Sequence, residues 1–306
     1  MAPTGGGEMS TKDQLVSPRL EMALPKDSSA RVTVIEGRRP GIRAALAELW
    51  RYRRFTMFFG RGMLTKRYAR TWLGFVWLPL RPVLNVTTKM LVFGGLVGIS
   101  AGSIPYPIFF LMASAAWALF SECVLWSTRS LDLNRGLLRE VHIPRLVVIA
   151  SAIVPSLVDF AITICLAAIA LVYYLVREDV FYLHLTIWSP FVILSALALI
   201  ALLGVGIGLI TASAGARARD VRFAVSYFLG FVYFLTPVIY PFDFIPDQYK
   251  PVAELNPLTG AIELFKLGLF PGEAVSPEAL TVTVAAVLAL WIPGLWLFHR
   301  HEVRDW

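Results

Sequence analysis

From Met90 to Ser121 the chain carries no Asp, Glu, Lys or Arg, and from Val180 to Ala216 its only titratable side chains are Tyr182 and His184. Phe223–Phe242 and Ala279–Phe298 are two more runs without a charged residue. Crossing ~30 Å of hydrocarbon takes about 20 helical residues. Core helices of soluble proteins are rarely so long, and one chain rarely holds several. Composition agrees: 57% of residues are hydrophobic and 16% charged, against about 25% charged in soluble domains. The expected fold is an all-α integral membrane protein.

Six spans are expected, at about Trp72–Ile99, Tyr106–Thr128, Leu146–Val176, Ile187–Ala214, Phe223–Tyr240 and Leu280–Phe298. Orientation follows Lys and Arg in short loops, not net charge, so the formal charge of +7 does not indicate nucleic-acid binding. Arg61, Lys66, Arg67 and Arg70 precede the first span, Arg129, Arg135, Arg139 and Arg145 follow the second, Arg217, Arg219 and Arg222 follow the fourth, and Arg300 and Arg304 follow the sixth. The opposite loops hold only Arg177, Lys250 and Lys266. This alternation predicts a multi-pass membrane protein with both termini in the cytoplasm.

Three regions follow. Residues 1–40, rich in Gly, Pro, Ser and charge, lack an apolar core and read as a disordered cytoplasmic tail. Residues 41–70 read as a basic amphipathic helix lying in the headgroup plane: Ala45, Leu49, Tyr52, Phe59 and Met63 form one stripe, while Arg43, Arg54 and Arg61 project from the other side. Residues 71–306 form the six-helix transmembrane domain. Within it, Phe242–Pro277 is too long for a turn and too apolar for a solvated loop. It predicts two short re-entrant helices, broken near Pro246 and near Asn256-Pro257.

No phosphate-cradling G-x-x-x-x-G-K-[ST] loop, H-E-x-x-H helix, G-x-S-x-G elbow or metal-ligand spacing is present. Cys123 and Cys165 lie far apart in apolar segments and read as small buried hydrophobes. An enzyme acting alone is therefore disfavoured, and no metal or cofactor is expected on the chain. Arg81, Lys89, Glu122 and Asp159 fall within spans, where a charge facing lipid costs several kcal/mol. Helical rise puts Arg81 about 13 Å and Glu122 about 10 Å from the cytoplasmic side. These two should pair or line one polar vestibule, and Lys89 with Asp159 would make a second pair.

Six stretches occur in a characteristic order: KRYARTWLGFVWLPLRP (Lys66–Pro82), Tyr106-Pro107, NRGLLREVHIPR (Asn134–Arg145), ARARDVRF (Ala216–Phe223), TPVIYPFDFIP (Thr236–Pro246) and LNPLTGAIELFK (Leu255–Lys266). Read together they resemble the permease subunits of ABC transporters that export O-antigen, teichoic acid and related cell-wall polysaccharides, over about Ala45 to Arg304. Arg81 departs from the Asn usual in that family, and Glu140 replaces a Lys. The resemblance implies a homodimer working with two copies of a separate ATP-binding subunit, which would hold the ATP and Mg. It implies a substrate of lipid-linked polysaccharide, carried on a polyprenyl diphosphate and built as O-antigen, teichoic acid or galactan. ATPase coupling would run through Asn134, Leu137, Arg139, Glu140, His142 and Pro144, with Arg217, Arg219 and Asp220 as a second contact. Arg67 and Arg70 would receive the headgroup. Trp72, Phe75, Trp77, Arg81, Lys89, Phe109, Trp117, Tyr227, Phe231 and Phe234 would line the channel, since sugar C–H faces pack on aromatic rings. Tyr240, Pro246, Asn256 and Pro257 would form a periplasmic gate. An ABC exporter of a lipid or drug, and a secondary transporter, are the alternative readings.

Overall fold

A computed structural model of the chain describes residues 50–68, 71–140, 143–270, 272 and 274–302, with backbone only at 139, 213, 216, 217 and 296–302. The expected tail, the start of the amphipathic helix, Arg70 and His142 lie outside the described residues, as do the side chains of Arg139 and Arg217.

The described part is helical. In chain order it comprises α1 (Arg53–Tyr68), a 3-10 turn (Gly74–Val76), α2 (Trp77–Met90) running into a π-helical stretch (Leu91–Leu96), α3 (Tyr106–Leu133), α4 (Arg135–Glu140), α5 (Arg145–Ala150) and α6 (Ile153–Glu178). There follow α7 (Ser189–Arg217), α8 (Arg219–Leu235), 3-10 turns at Phe242–Phe244 and Asp247–Tyr249, α9 (Lys250–Glu254), α10 (Pro257–Leu267) and α11 (Pro277–Glu302). Four segments among the described residues are long and apolar enough to cross a membrane: Tyr106–Leu133, Arg145–Glu178, Ser189–Ala212 and Pro277–Leu295. They coincide with the second, third, fourth and sixth expected spans. The other two expected spans are shorter as continuous α-helix: 14 residues in α2, continued by 6 in π geometry, and 17 in α8.

Local sequence sets the ends. Pro105 stands just before α3 and Pro107 occupies its first turn, where a missing N–H costs nothing. Asp179 ends α6 in the left-handed conformation. Asn256 caps α10 by accepting from the Leu258 N–H, and Pro257 opens that helix.

α3 is the most buried of the four long helices. It packs chiefly on α7 and α6, and α11 and α10 pack in turn on α7. The α3–α7 seam is close because α7 offers glycine where α3 presses. A Cβ at Gly204 would come within 2.6 Å of Cys123 Cβ, and one at Gly208 would overlap Ser127. Such a small-xxx-small stripe lets backbones approach where lipid provides no hydrophobic drive. Thr128 and Thr211 then share a hydroxyl hydrogen bond of 2.7 Å across the seam.

The apolar stripe of α1 is covered by protein. Phe59 and Met63 are buried, and α1 rests on α5 and α6. Phe55, Met57 and Phe58 are the exposed apolar side chains of this helix.

Between α8 and α11 the chain forms two short helices, separated at Asn256, with Pro246 opening the second 3-10 turn. α10 is buried along most of its length, between α11, α7 and α3. It carries a hidden ion pair: Lys266 Nζ lies 2.7 Å from Glu263 Oε1, with both side chains almost wholly enclosed. The Lys266 ammonium also faces the Phe109 ring at 4.7 Å.

Candidate functional site: a cation-lined cavity

α3 turns one face toward α1, α2 and α8. Trp117, Ser121, Glu122, Leu125, Trp126, Arg129 and Leu133 recur along it at three- and four-residue steps, which is one side of a helix. The last turn of α1 brings Lys66 and Arg67, α2 brings Arg81 and Lys89, and α8 brings Ser226, Leu229, Gly230, Tyr233 and Phe234. They enclose a cavity of about 560 Å³. A smaller hollow of about 110 Å³ adjoins it, sharing Arg81, Lys89, Trp117, Ser121, Glu122 and Tyr233 and adding Asn85, Ser114, Asp159 and Thr163.

Charge in the larger cavity is one-sided. Lys66, Arg67, Arg81, Lys89 and Arg129 face a single carboxylate, Glu122. Arg67 Nη1 lies 3.2 Å from Glu122 Oε2, and its guanidinium stacks over Trp126 at 4.9 Å. Arg81 Nη1 reaches Glu122 Oε1 at 3.9 Å. The expected meeting of Arg81 and Glu122 is thus present, with Arg67 as the nearer partner. Lys66 is turned to the end of α3, donating to the Leu133 carbonyl at 2.8 Å and to Asn134 Oδ1 at 3.0 Å.

The second expected pair does not form. Among the described residues no ion pair joins Lys89 to Asp159, although both border the smaller hollow. Lys89 instead places its ammonium 3.8 Å from the centre of the Tyr233 ring, a contact worth up to ~2 kcal/mol when desolvated. Asp159 is buried and its Oδ2 has no hydrogen-bond partner.

The remaining expected channel residues divide into three groups. Trp117 and Phe234 border the cavity, Trp117 edge-on to Tyr233 at 5.1 Å. Trp72, Phe75, Trp77, Tyr227 and Phe231 are exposed, Trp72 at 99%, with Phe75 against Tyr68. Phe109 is in the core, stacked on Phe270 at 6.4 Å.

At one end of the bundle the expected coupling segments meet. Asp132 receives Arg222 at 2.9 Å and Arg135 at 3.5 Å. Arg222 also donates from Nε to the Gly215 carbonyl at 3.0 Å, so the end of α3 is tied to the turn between α7 and α8. Asn134 is buried, its amide donating to the Ser130 carbonyl. Leu137 leans on the core and Pro144 immediately precedes α5. Glu140, Arg219 and Asp220 are exposed.

At the other end, Tyr240 donates to the Phe234 carbonyl at 2.9 Å, Asn256 donates to Thr236 at 2.9 Å and Tyr106 donates to the Ile239 carbonyl at 3.0 Å. Three bonds therefore hold the segment that follows α8. Beyond it, Lys250 lies 2.7 Å from the exposed Asp247 and holds that carboxyl below the ordinary carboxylate range, while Asp247 raises Lys250.

Sequence reasoning took Arg129 only as a marker of orientation, gave Lys66 no place in a cavity, and passed over Trp126, Asp132 and Tyr233. Glu122, Trp126 and Arg129 stand at i, i+4 and i+7, a spacing that marks a polar stripe on one helix face.

Comparison with known proteins points in one direction. The sequence model of the ABC-2 type transporter family matches residues 55–270. The polysialic acid transport protein KpsM of Escherichia coli is 26% identical over 238 residues, covering 77% of this chain and 89% of its own length. The O-antigen export system permease protein RfbA of Myxococcus xanthus is 26% identical over 259 residues, covering 83% and 95%. Its namesake in Klebsiella pneumoniae is 22% identical over 242 residues, covering 79% and 89%.

Proposed function

The chain belongs to the ABC-2 type transporter family, and from that membership we propose that it is the membrane permease of an ATP-driven exporter of a lipid-linked polysaccharide. Relatives named for polysialic acid transport and O-antigen export, matched over most of their length, support polysaccharide as the cargo. The observation that carries the reading is the cavity: a space lined by five cations and walled by Trp117, Trp126 and Tyr233. Cations suit the diphosphate that joins such polymers to their lipid, and aromatic faces suit sugar rings.

In this reading the protomer has six spans, with α2 and its π extension as the first and α8 as the fifth. Rise along α2 and the π stretch amounts to ~30 Å, which supports the former. Both termini lie in the cytoplasm, and α9 and α10 dip back from outside. Two protomers face each other across a channel to which α2 and α8 contribute, so that exposed Trp72, Phe75, Trp77, Tyr227 and Phe231 meet their copies. Two separate ATP-binding subunits carry ATP and Mg and grip α4 with the turn around Arg219 and Asp220. Arg67 and Arg70 receive the headgroup. Tyr240, Pro246, Asn256 and Pro257 control the exit.

The test is depletion of the chain in its host. Polymer should disappear from the cell surface while its lipid-linked form accumulates inside, and R81A should do the same at normal protein level. Undiminished surface polymer after depletion overturns the reading.

A further inference from the structure

The cavity holds more positive charge than it neutralises, and the one carboxylate in it is shared. Lys66 is engaged by the end of α3. Arg67 is the closer partner of Glu122 at 3.2 Å, and Arg81 stands off at 3.9 Å with half its side chain exposed. Lys89 faces a ring, and among the described residues Arg129 makes no ion pair or hydrogen bond. Asp159, the other acid nearby, borders only the smaller hollow. Unbalanced charge in a partly enclosed space is costly and calls for a counterion. A single carboxylate resembles one terminal phosphoryl group: a planar or tetrahedral set of acceptor oxygens that a guanidinium fork fits.

We propose that Glu122 is a resident counterion, occupying the place of the ligand's diphosphate group and yielding Arg67 and Arg81 to that group when it arrives. This deepens the export reading and rests on it for the identity of the cargo. The empty site keeps its two arginines ordered without an anion. A ligand of one negative charge merely exchanges with Glu122, whereas a diphosphate also engages Lys89 and Arg129. Glu122 thereby sets a threshold of charge below which a lipid phosphate does not displace it. Ordinary membrane phospholipids, with a single phosphodiester, fall below it.

The test uses the permease purified with its ATP-binding partner in nanodiscs of phosphatidylcholine. One arm titrates inorganic pyrophosphate and reads Kd. The other adds undecaprenyl diphosphate to the bilayer and reads the lipid fraction that half-activates ATP hydrolysis. E122Q should bind pyrophosphate about tenfold more tightly, a shift of ~1.4 kcal/mol, and should begin to respond to phosphatidylglycerol. E122D should stay near the parent, and E122Q/R67A should lose the gain. D159N, which removes an acid that holds neither arginine, should shift affinity less than E122Q. A gain confined to pyrophosphate assigns the site to a soluble anion, and a gain in both arms assigns it to a lipid. Affinity unchanged or weakened in E122Q at an unchanged melting temperature overturns the proposal, as does an equal gain in D159N. These readings do not depend on which polymer is exported, so they fail separately from the depletion experiment.

Discussion

Two kinds of residue carry unusual weight. The first is glycine on α7. With Gly208 against Ser127, G208A forces the seam apart or Ser127 aside, and overpacking of this kind costs ~1–3 kcal/mol. The expected outcome is a lowered melting temperature in detergent. G62A is the contrast, because nothing lies within 4 Å of a Cβ there. It should stabilise α1 by about 0.5–1 kcal/mol, as alanine does in helix interiors. The second is the enclosed Glu263–Lys266 pair on α10. E263L leaves a lysine buried without its partner, an error worth ~3–5 kcal/mol. E263L/K266M removes both charges and should recover most of the folded yield measured by size-exclusion chromatography. Neither residue type was readable for this role in the sequence. Glycine spacing marks a close seam only once the facing helix is known, and Lys266 counted there simply as a positive charge in an outer loop.

Among the elements, the long apolar helices were legible because their cause is local: length and hydropathy alone demand them. Breaks at Pro246 and at Asn256 were legible for the same reason, since cap and turn chemistry is written in adjacent residues. The cavity was legible only in part. Arg81 and Glu122 announced themselves as charges within spans, but their meeting with Arg67 depends on how α1, α2 and α3 are arranged. Lys89 found a ring in place of Asp159 because Tyr233 arrives on α8, a neighbour that no sequence pattern names. The Asp132–Arg222 contact is likewise between elements. R222A should leave the protein folded but lower the polymer exported per ATP hydrolysed, and R222D/D132R should restore part of that ratio. An unaltered ratio in R222A removes the contact from the coupling route. In the outer stretch, the lowered Asp247 carboxyl means that its favourable pairing is complete above the unfolded carboxylate value of about 4 and fades as pH falls through the lowered one. K250M should therefore speed hydrogen exchange of α9 at neutral pH, and the difference from the parent should vanish in strong acid.

For the molecule as a whole, α2 and α8 make few contacts with the rest of the bundle and turn large apolar side chains outward. In a background without Cys123 and Cys165, F231C should cross-link between two copies in oxidised membranes. V176C, on α6 and more exposed still, should stay monomeric. Cross-linking at both positions, or at neither, would count against pairing through α8. Sequence alone had no means of separating a surface that faces lipid from one that faces a copy, because both are apolar.

The glycine-lined seam has a consequence for how such a protein can evolve. Tolerance to substitution should be lopsided across the bundle. Positions facing each other on α3 and α7 admit almost nothing larger than what is there, so this half should drift slowly whatever is carried. The outward side chains of α2 and α8, such as Leu84, Tyr227 and Phe228, are exposed and can be exchanged without unseating a neighbour. A saturation library scored for surface polymer should show that contrast directly, with adaptation to new cargo accumulating on the loose half of the scaffold.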